Sequence, residues 1–474
     1  MTATDSSVIV VVLDGVRPDT LRDALDAGHA PALRQLRDDG GDHTITTVFP
    51  SVTGLGYVPF VAGRHPVPAG IPGLRWYDRA RTHIRRGSHA RSYIGWAMRY
   101  FDRDLHPEVD TLFQHARPSF GAMTMIGRGL APRDWLGTGL NWQLRGARIH
   151  FGRGGLKRWL EWDRDVAGHV AAHVRRHAPQ FTLAAVLTPD KVQHAEGQQS
   201  PKLLETIRIG DALVAELRHD LERAGRWDRT QLWIVSDHGH SPTPKHDELV
   251  DVLLGEGLTV AAHPFAGKAK SSDVVVGVSG NAQAHIYLDP QRRTRLGAEA
   301  LAGRWGAVTD LLSSRESVDL AIVPLGDDTA RVSAPGRGAA LVRWSHGRVS
   351  YLPQDGDPLR LDDELSELDA VDAWDACLPT DHPDGLVQIA AVAGAARSGD
   401  VILSAAREWD FRKRYEPVLH VSGHGALHRE HMLVPMLLNR PPVGVPRRTV
   451  DIGVSAARAL QLDALRGADG ASFV

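Results

Sequence analysis

Seven polar residues stand out along the chain: Asp14, Thr53, Asp190, His194, Asp237, His238 and His424. They comprise three carboxylates, three imidazoles and one hydroxyl. Carboxylate oxygens and imidazole nitrogens suit zinc, with manganese and iron also accommodated. Six such ligands divide into two sets of three, each leaving a position open for substrate or nucleophile. Two divalent cations roughly 3.5–4 Å apart can clamp the attacking and leaving oxygens of a phosphoryl displacement. Singly, each residue has an ordinary explanation, Asp14 as the aspartate that turns the chain at a strand end and Thr53 as a helix N-cap. Jointly they point to metal, because every one follows an apolar, strand-like run. Thr53 stands where a strand gives way to a helix, and N–H groups at a helix start favour anions. Its hydroxyl is the candidate to meet a phosphate, with Gly54 beside it as a candidate substrate contact.

Such groups need strands that end along one edge. Residues 8–13 form a continuous β-branched run, the pattern of a strand buried on both faces of a parallel sheet. The run stops at Asp14-Gly15, and open α/β sheets bind ligands at the carboxyl ends of their strands. Further strands are expected at 44–48, 181–187, 231–235, 283–288, 318–323, 400–403, 417–421 and 432–438. Helices are expected from Pro31, over 156–174, over 203–221 by its amphipathic spacing, and over 449–460. Asp190 and His194 are four apart, so one helical turn puts both on one face. The chain therefore reads as an α/β protein, a mostly parallel sheet flanked by helices. The core is expected in three pieces, 1–78, 180–262 and 385–474. Between them lie a cap insertion rich in Arg and Trp, 79–179, and a second insertion, 263–384.

At 474 residues the chain exceeds the size at which one core stops growing. Lys+Arg 55 against Asp+Glu 57 leave a net charge of −2. That balance argues against nucleic acid as a stable partner and against a membrane surface. The 24 histidines are a surplus that suits metal binding or acid–base chemistry. The single cysteine, Cys377, excludes an internal disulfide and zinc sites built on thiolates. The N-terminal residues lack a basic stretch, and 8–13 is too short for a signal core or a membrane span, so a cytoplasmic protein is expected. No P-loop, Rossmann glycine fingerprint or serine-hydrolase elbow is present. Oligomeric state is not readable from the sequence.

The order of the motifs resembles the alkaline phosphatase superfamily, in its nucleotide pyrophosphatase/phosphodiesterase branch, with some likeness to phosphonoacetate hydrolase. The carrying motifs are Val-Val-Leu-Asp14-Gly, Phe-Pro-Ser-Val-Thr53 with Gly63 ten residues on, Pro-Asp190-x-x-x-His194, Val-Ser-Asp237-His238-Gly and Gly-His424-Gly. The resemblance implies an alkaline-phosphatase-like sheet and two divalent metal ions, zinc foremost. Asp14, Asp237 and His238 would hold one ion, bridged by Thr53; Asp190, His194 and His424 would hold the other. It further implies a small phosphate-ester substrate, a diester or pyrophosphate, attacked by Thr53 to give a phospho-threonine intermediate. The alternatives are a phosphomonoesterase, a hydrolase of phosphonate carbon–phosphorus bonds, and a metal-stabilised binding protein without catalysis. One departure from the branch is Leu74, where members place an asparagine on a phosphoryl oxygen; Leu cannot donate a hydrogen bond. Arg75 next to it is the candidate replacement as a substrate contact. Lys191, inside the metal motif, is a further group that could meet an anion. His240, His428 and His431 flank the motifs and are expected in supporting or surface positions.

Overall fold

The computed structural model describes residues 6–82, 89–94, 98, 100–137, 139–151, 155–264, 266–412 and 420–474. Its first strand, Ser7–Leu13, is buried throughout. It lies between Phe181–Val186 and Thr230–Val235 and runs parallel to both. Covered on both faces and at both edges, this strand has no solvent side for a polar residue to occupy. The continuous apolar run is the result, with each fully buried Val, Ile or Leu contributing roughly 1.5–3 kcal/mol.

The register of these three strands decides where the site forms. Leu13 pairs with Val186, and Val12 with Val235. Asp14, the Thr188–Glu196 helix and Asp237 therefore all emerge at the same carboxyl edge of the sheet. Seven strands make up this sheet. Asp42–Thr46 and Leu433–Leu438 close one side with antiparallel pairings, Leu433–Leu438 lying against Thr230–Val235. Ser119–Ala122 and Trp135–Leu136 extend the other side with parallel pairings. The sheet is thus mostly parallel, as the sequence predicts. Two of its strands come from the stretch 79–179 that composition alone marks as a cap. They are short and lack an apolar run, so neither length nor periodicity separates them from loop. From the same stretch, the helix Gly155–His177 packs along Pro201–Arg223 over one face of the sheet.

A second, nine-stranded sheet takes in most of residues 263–384. It is antiparallel apart from the pairing of Val260–Ala262 with Val274–Ser279. Val401–Ala405, expected in the core, is one of its central strands, between Gln283–Leu288 and Val318–Pro324. The two sheets are tied by buried polar contacts. Gln388 accepts a hydrogen bond from the Phe49 backbone at 2.8 Å, and Arg448 pairs with Asp384 at 2.7 Å. Outside both sheets, Arg91, fully buried, bridges Asp78 at 2.8 Å and Asp104 at 3.1 Å. The strand expected at 417–421 lies largely outside the described residues. No helix among the described residues is long and apolar enough to cross a membrane.

Candidate metal centre

Each polar group reaches the carboxyl edge by its own local device. Gly15 follows Asp14 with a positive φ of 73°, and a Cβ there would lie 2.9 Å from His240 Cδ2. Only glycine turns the chain at that point without displacing the imidazole. Pro189 opens the Thr188–Glu196 helix, and its single turn brings Asp190 Oδ1 and His194 Nε2 within 3.2 Å. His424 is pinned by the turn between Val274–Ser279 and Gln283–Leu288: its N–H donates to Gly280 O, and its own carbonyl accepts from Ala282 N. The second sheet thereby helps position a group of the first.

Thr53 is not a helix cap. The strand before it ends at Thr46, the helix after it is Tyr57–Ala62, and Gly56 fills the N-cap position with no side-chain cap. The Thr53 hydroxyl lies instead 3.2 Å from Asp14 Oδ1 and 3.0 Å from His238 Nε2. The Tyr57 hydroxyl donates to the other Asp14 oxygen at 3.1 Å. Ser51 anchors the loop, its Oγ donating to Ala426 O at 2.9 Å. Gly54, at φ +86°, turns the chain after Thr53, with Met125 Sδ packed where a Cβ would stand.

All of Asp14, Thr53, Asp190, His194, Asp237, His238 and His424 converge at this edge. Asp190 Oδ1 is the centre of one group: His194, His240 and His424 direct Nε2 at it from 3.2, 2.9 and 3.6 Å. Asp14, Asp190 and His238 form a second group of ligand atoms within 4.8 Å of one another, so Asp190 is common to both. Asp237 stands beside the second group, its Oδ1 accepting from the Gly15 backbone at 3.3 Å. Its Oδ2 is 3.6 Å from His238 Nε2 and, although buried, has no hydrogen-bond partner. A buried carboxylate oxygen left without a donor is a position for a cation.

The electrostatics agree. Burial, reinforced by Asp237 and Asp190, pushes the Asp14 carboxyl well above its ordinary range. Burial also raises Asp237. For Asp190 burial works in the same direction but is outweighed by His194 and by Lys191, and its carboxyl is held well below the usual range. Lys191 Nζ sits 2.7 Å from Asp190 Oδ2. Burial pushes the His240 imidazole down to about 3 and His424 well below its ordinary value, so both present neutral rings. Three buried acids beside the neutral rings of His240 and His424 fit divalent cations, which would supply the missing positive charge.

Arg75 occupies a different place. Its Nη1 donates to Val278 O at 3.3 Å, and its side chain lines a cavity of about 210 Å³ with Glu248, Asp251, His263 and Arg412. None of the metal-directed side chains lines that cavity. Leu74 is packed in the core. His431 supports the site from behind, bonded to Ser241 Oγ at 2.8 Å. His240, expected to flank the site, lies inside it. The available signal was its distance of two from His238: in extended chain, residues i and i+2 face the same way. His420, stacked on His194 with ring centroids 4.1 Å apart, carried no comparable signal.

Residues 8–304 match the family described as type I phosphodiesterase / nucleotide pyrophosphatase. No curated protein sequence matches the chain. Among solved structures, the chain is similar to phosphonoacetate hydrolase from Sinorhizobium meliloti 1021 in complex with phosphonoformate, with 16% identity, a TM-score of 0.59 and 96% of each chain covered. It is also similar to murine ectonucleotide pyrophosphatase/phosphodiesterase 5, with 15% identity and a TM-score of 0.57, covering 97% of this chain and 96% of that one. An inactive variant of the murine protein in complex with AMP is similar at 16% identity, with the same TM-score of 0.57 and the same coverage. At these identities the likeness is one of fold.

Proposed function

Because the chain belongs to the type I phosphodiesterase / nucleotide pyrophosphatase family, a family of metal-dependent hydrolases, we propose that it cleaves phosphodiester or pyrophosphate bonds with two zinc ions and Thr53 as covalent nucleophile. The observation that carries this reading is the Thr53 hydroxyl, held between Asp14 and His238 at 3.2 and 3.0 Å. Asp14, Asp237, His238 and Thr53 would hold one ion; Asp190, His194 and His424 would hold the other. When bound, the ions neutralise the carboxylates and the phosphoryl oxygens and lower the proton affinity of the Thr53 hydroxyl.

The remaining work falls to the chain. Asp14 Oδ1 orients the Thr53 hydroxyl and Tyr57 orients Asp14, so the nucleophile is positioned before substrate arrives. Thr53 Oγ1 gives up its proton and bonds to phosphorus as the bond from phosphorus to the leaving oxygen breaks, in line, the proton ending on the leaving oxygen. Water then cleaves the phospho-threonine ester, releasing the phosphate product and restoring the hydroxyl. Gly54, with no side chain of its own, leaves its backbone N–H as a substrate contact. The place of Arg75 in the neighbouring cavity makes it a candidate for a distal part of the substrate, away from the reacting phosphorus.

A second reading, hydrolysis of a phosphonate carbon–phosphorus bond, is favoured by one observation. The Lys191 ammonium stands beside Asp190, where it could meet a second anionic group on a small substrate. The test is a panel on the zinc-loaded protein: a bis-aryl phosphodiester, an aryl phosphomonoester and phosphonoacetate. The diester is expected to turn over fastest, and Thr53→Ala to abolish turnover with both ions retained. Preference for phosphonoacetate moves the assignment to the second reading. Inactivity on all three with metal loaded leaves a metal-stabilised binding protein.

A further inference from the structure

The four imidazoles at the site share one arrangement. His194 Nδ1 donates to Ser422 O at 2.8 Å, His238 Nδ1 to Gly239 O at 3.2 Å, and His424 Nδ1 to Ser51 O at 3.0 Å. A carbonyl can only accept, so in each ring Nδ1 carries a hydrogen and Nε2 is the nitrogen left facing inward. His240 follows the same plan. Its Nδ1 is 3.0 Å from Ser422 Oγ, and that hydroxyl gives its single hydrogen to Ser241 O at 2.9 Å. Ser422 Oγ is therefore the acceptor, and His240 Nδ1 the donor. Both oxygens of Ser422, which is fully buried, are thus used to orient two histidines, the backbone one for His194 and the side-chain one for His240.

With Nδ1 turned to Ser422, His240 directs Nε2 at Asp190 Oδ1, 2.9 Å away, in a group where one ligand atom each from Asp190, His194, His240 and His424 lie within 4.8 Å of one another. Locking the outer ring nitrogen to an oxygen is how proteins fix the tautomer of a metal-ligating histidine. His420 provides the contrast: its Nδ1 faces the Asn281 side-chain amide at 3.0 Å, and it is not among the grouped ligand atoms.

We propose that His240 is a fourth protein ligand, completing a His194–His240–His424–Asp190 set around one of the two ions. The inference rests on the two-metal reading and adds a ligand to it. Four protein ligands fill a tetrahedron, whereas catalytic zinc is usually held by three protein groups with one position left open. The ion in this set can meet substrate only by five-coordination. It should also be the more firmly held of the two and the last removed by a chelator.

Proton NMR of the cobalt(II)-loaded full-length protein tests the ligand count directly. Each histidine bound through Nε2 carries an Nδ1–H close to the paramagnetic ion and gives a strongly shifted resonance that disappears in D₂O. Four such resonances are expected in the wild type. His240→Gln should remove one and retain three. Three resonances in the wild type, before any substitution, would overturn the inference and leave the two-metal reading intact. Failure of the protein to take up cobalt would overturn both. The wild-type count requires no variant to fold, so the proposal stays testable even if His240→Gln is unstable.

Discussion

Replacing Asp14 by asparagine should stabilise the metal-free protein while removing the part of its zinc response that comes from the ion Asp14 helps to hold. Asp14, Asp190 and His238 place ligand atoms within 4.8 Å of one another. Two ionised carboxylates at that separation repel by about 3 kcal/mol at an effective dielectric constant of about 20. The amide of the Asp14→Asn variant would keep one oxygen, to accept from Thr53 or from Tyr57, and carry no charge. The sign follows from the carboxyl shifts. The folded-state value of Asp14 lies well above the ordinary carboxylate value, raised by burial and then by Asp237 and Asp190. Between the unfolded and folded values, the folded state binds a proton that the unfolded chain has lost. The stability of the metal-free protein therefore falls as pH rises through that window. Asp237, also raised, acts in the same direction. Asp190 is lowered, so its contribution is lost only as pH falls below the ordinary carboxylate range. At pH 8 the metal-free Asp14→Asn protein should melt about 3–6 °C above metal-free wild type, since the temperature shift per kcal/mol shrinks as chain length grows. Zinc at a thousand times its dissociation constant should stabilise wild type by about 4 kcal/mol per site, and the variant by about one site's share. Differential scanning calorimetry from pH 4 to 9, with and without zinc, makes the comparison. A metal-free variant less stable than wild type at pH 8, with an undiminished zinc response, would refute the reasoning.

Other perturbations probe different parts of the account. Arg91→Met removes a buried guanidinium from between Asp78 and Asp104; a loss of about 3–5 kcal/mol is expected in denaturant titration, and a loss below about 1 kcal/mol contradicts the structure. Gly15→Ala forces a side chain into a left-handed residue and against His240. It should cost about 1–2 kcal/mol from the backbone alone and weaken metal binding in a chelator competition, and unchanged metal affinity would show that the turn does not hold His240 in place.

The reaction edge was legible because a parallel sheet writes itself plainly. Residues 8–13, and 181–187 apart from Thr182, are apolar on both faces, so the first charged or polar residue after each run marks a strand end. The structure places those ends together by register. At Thr53 the sequence suggests a helix start, whereas the structure holds it by carboxylate and imidazole in a loop that precedes a short helix. The short strands Ser119–Ala122 and Trp135–Leu136 were not legible, since their pairing comes from neighbours distant in sequence. The strands of the second sheet could be seen singly at 283–288 and 318–323, yet nothing local told that Val401–Ala405 lies between them. Arg75 looked like a phosphate contact from its place next to Leu74. Side-chain direction, which the sequence does not carry, turns its guanidinium into another cavity. His240 was one residue beyond a recognised motif, and its role depends on Ser422, a contact spanning 182 positions.

The central claim is that Thr53 attacks phosphorus. Zinc-loaded protein should be mixed with an excess of a bis-aryl phosphodiester, quenched in acid within a turnover, digested and examined by mass spectrometry. An aryl-phosphoryl adduct on the peptide containing Thr53, absent from Thr53→Ala, is the predicted result. Steady turnover with Thr53 unmodified, or with the adduct on another residue, would contradict it.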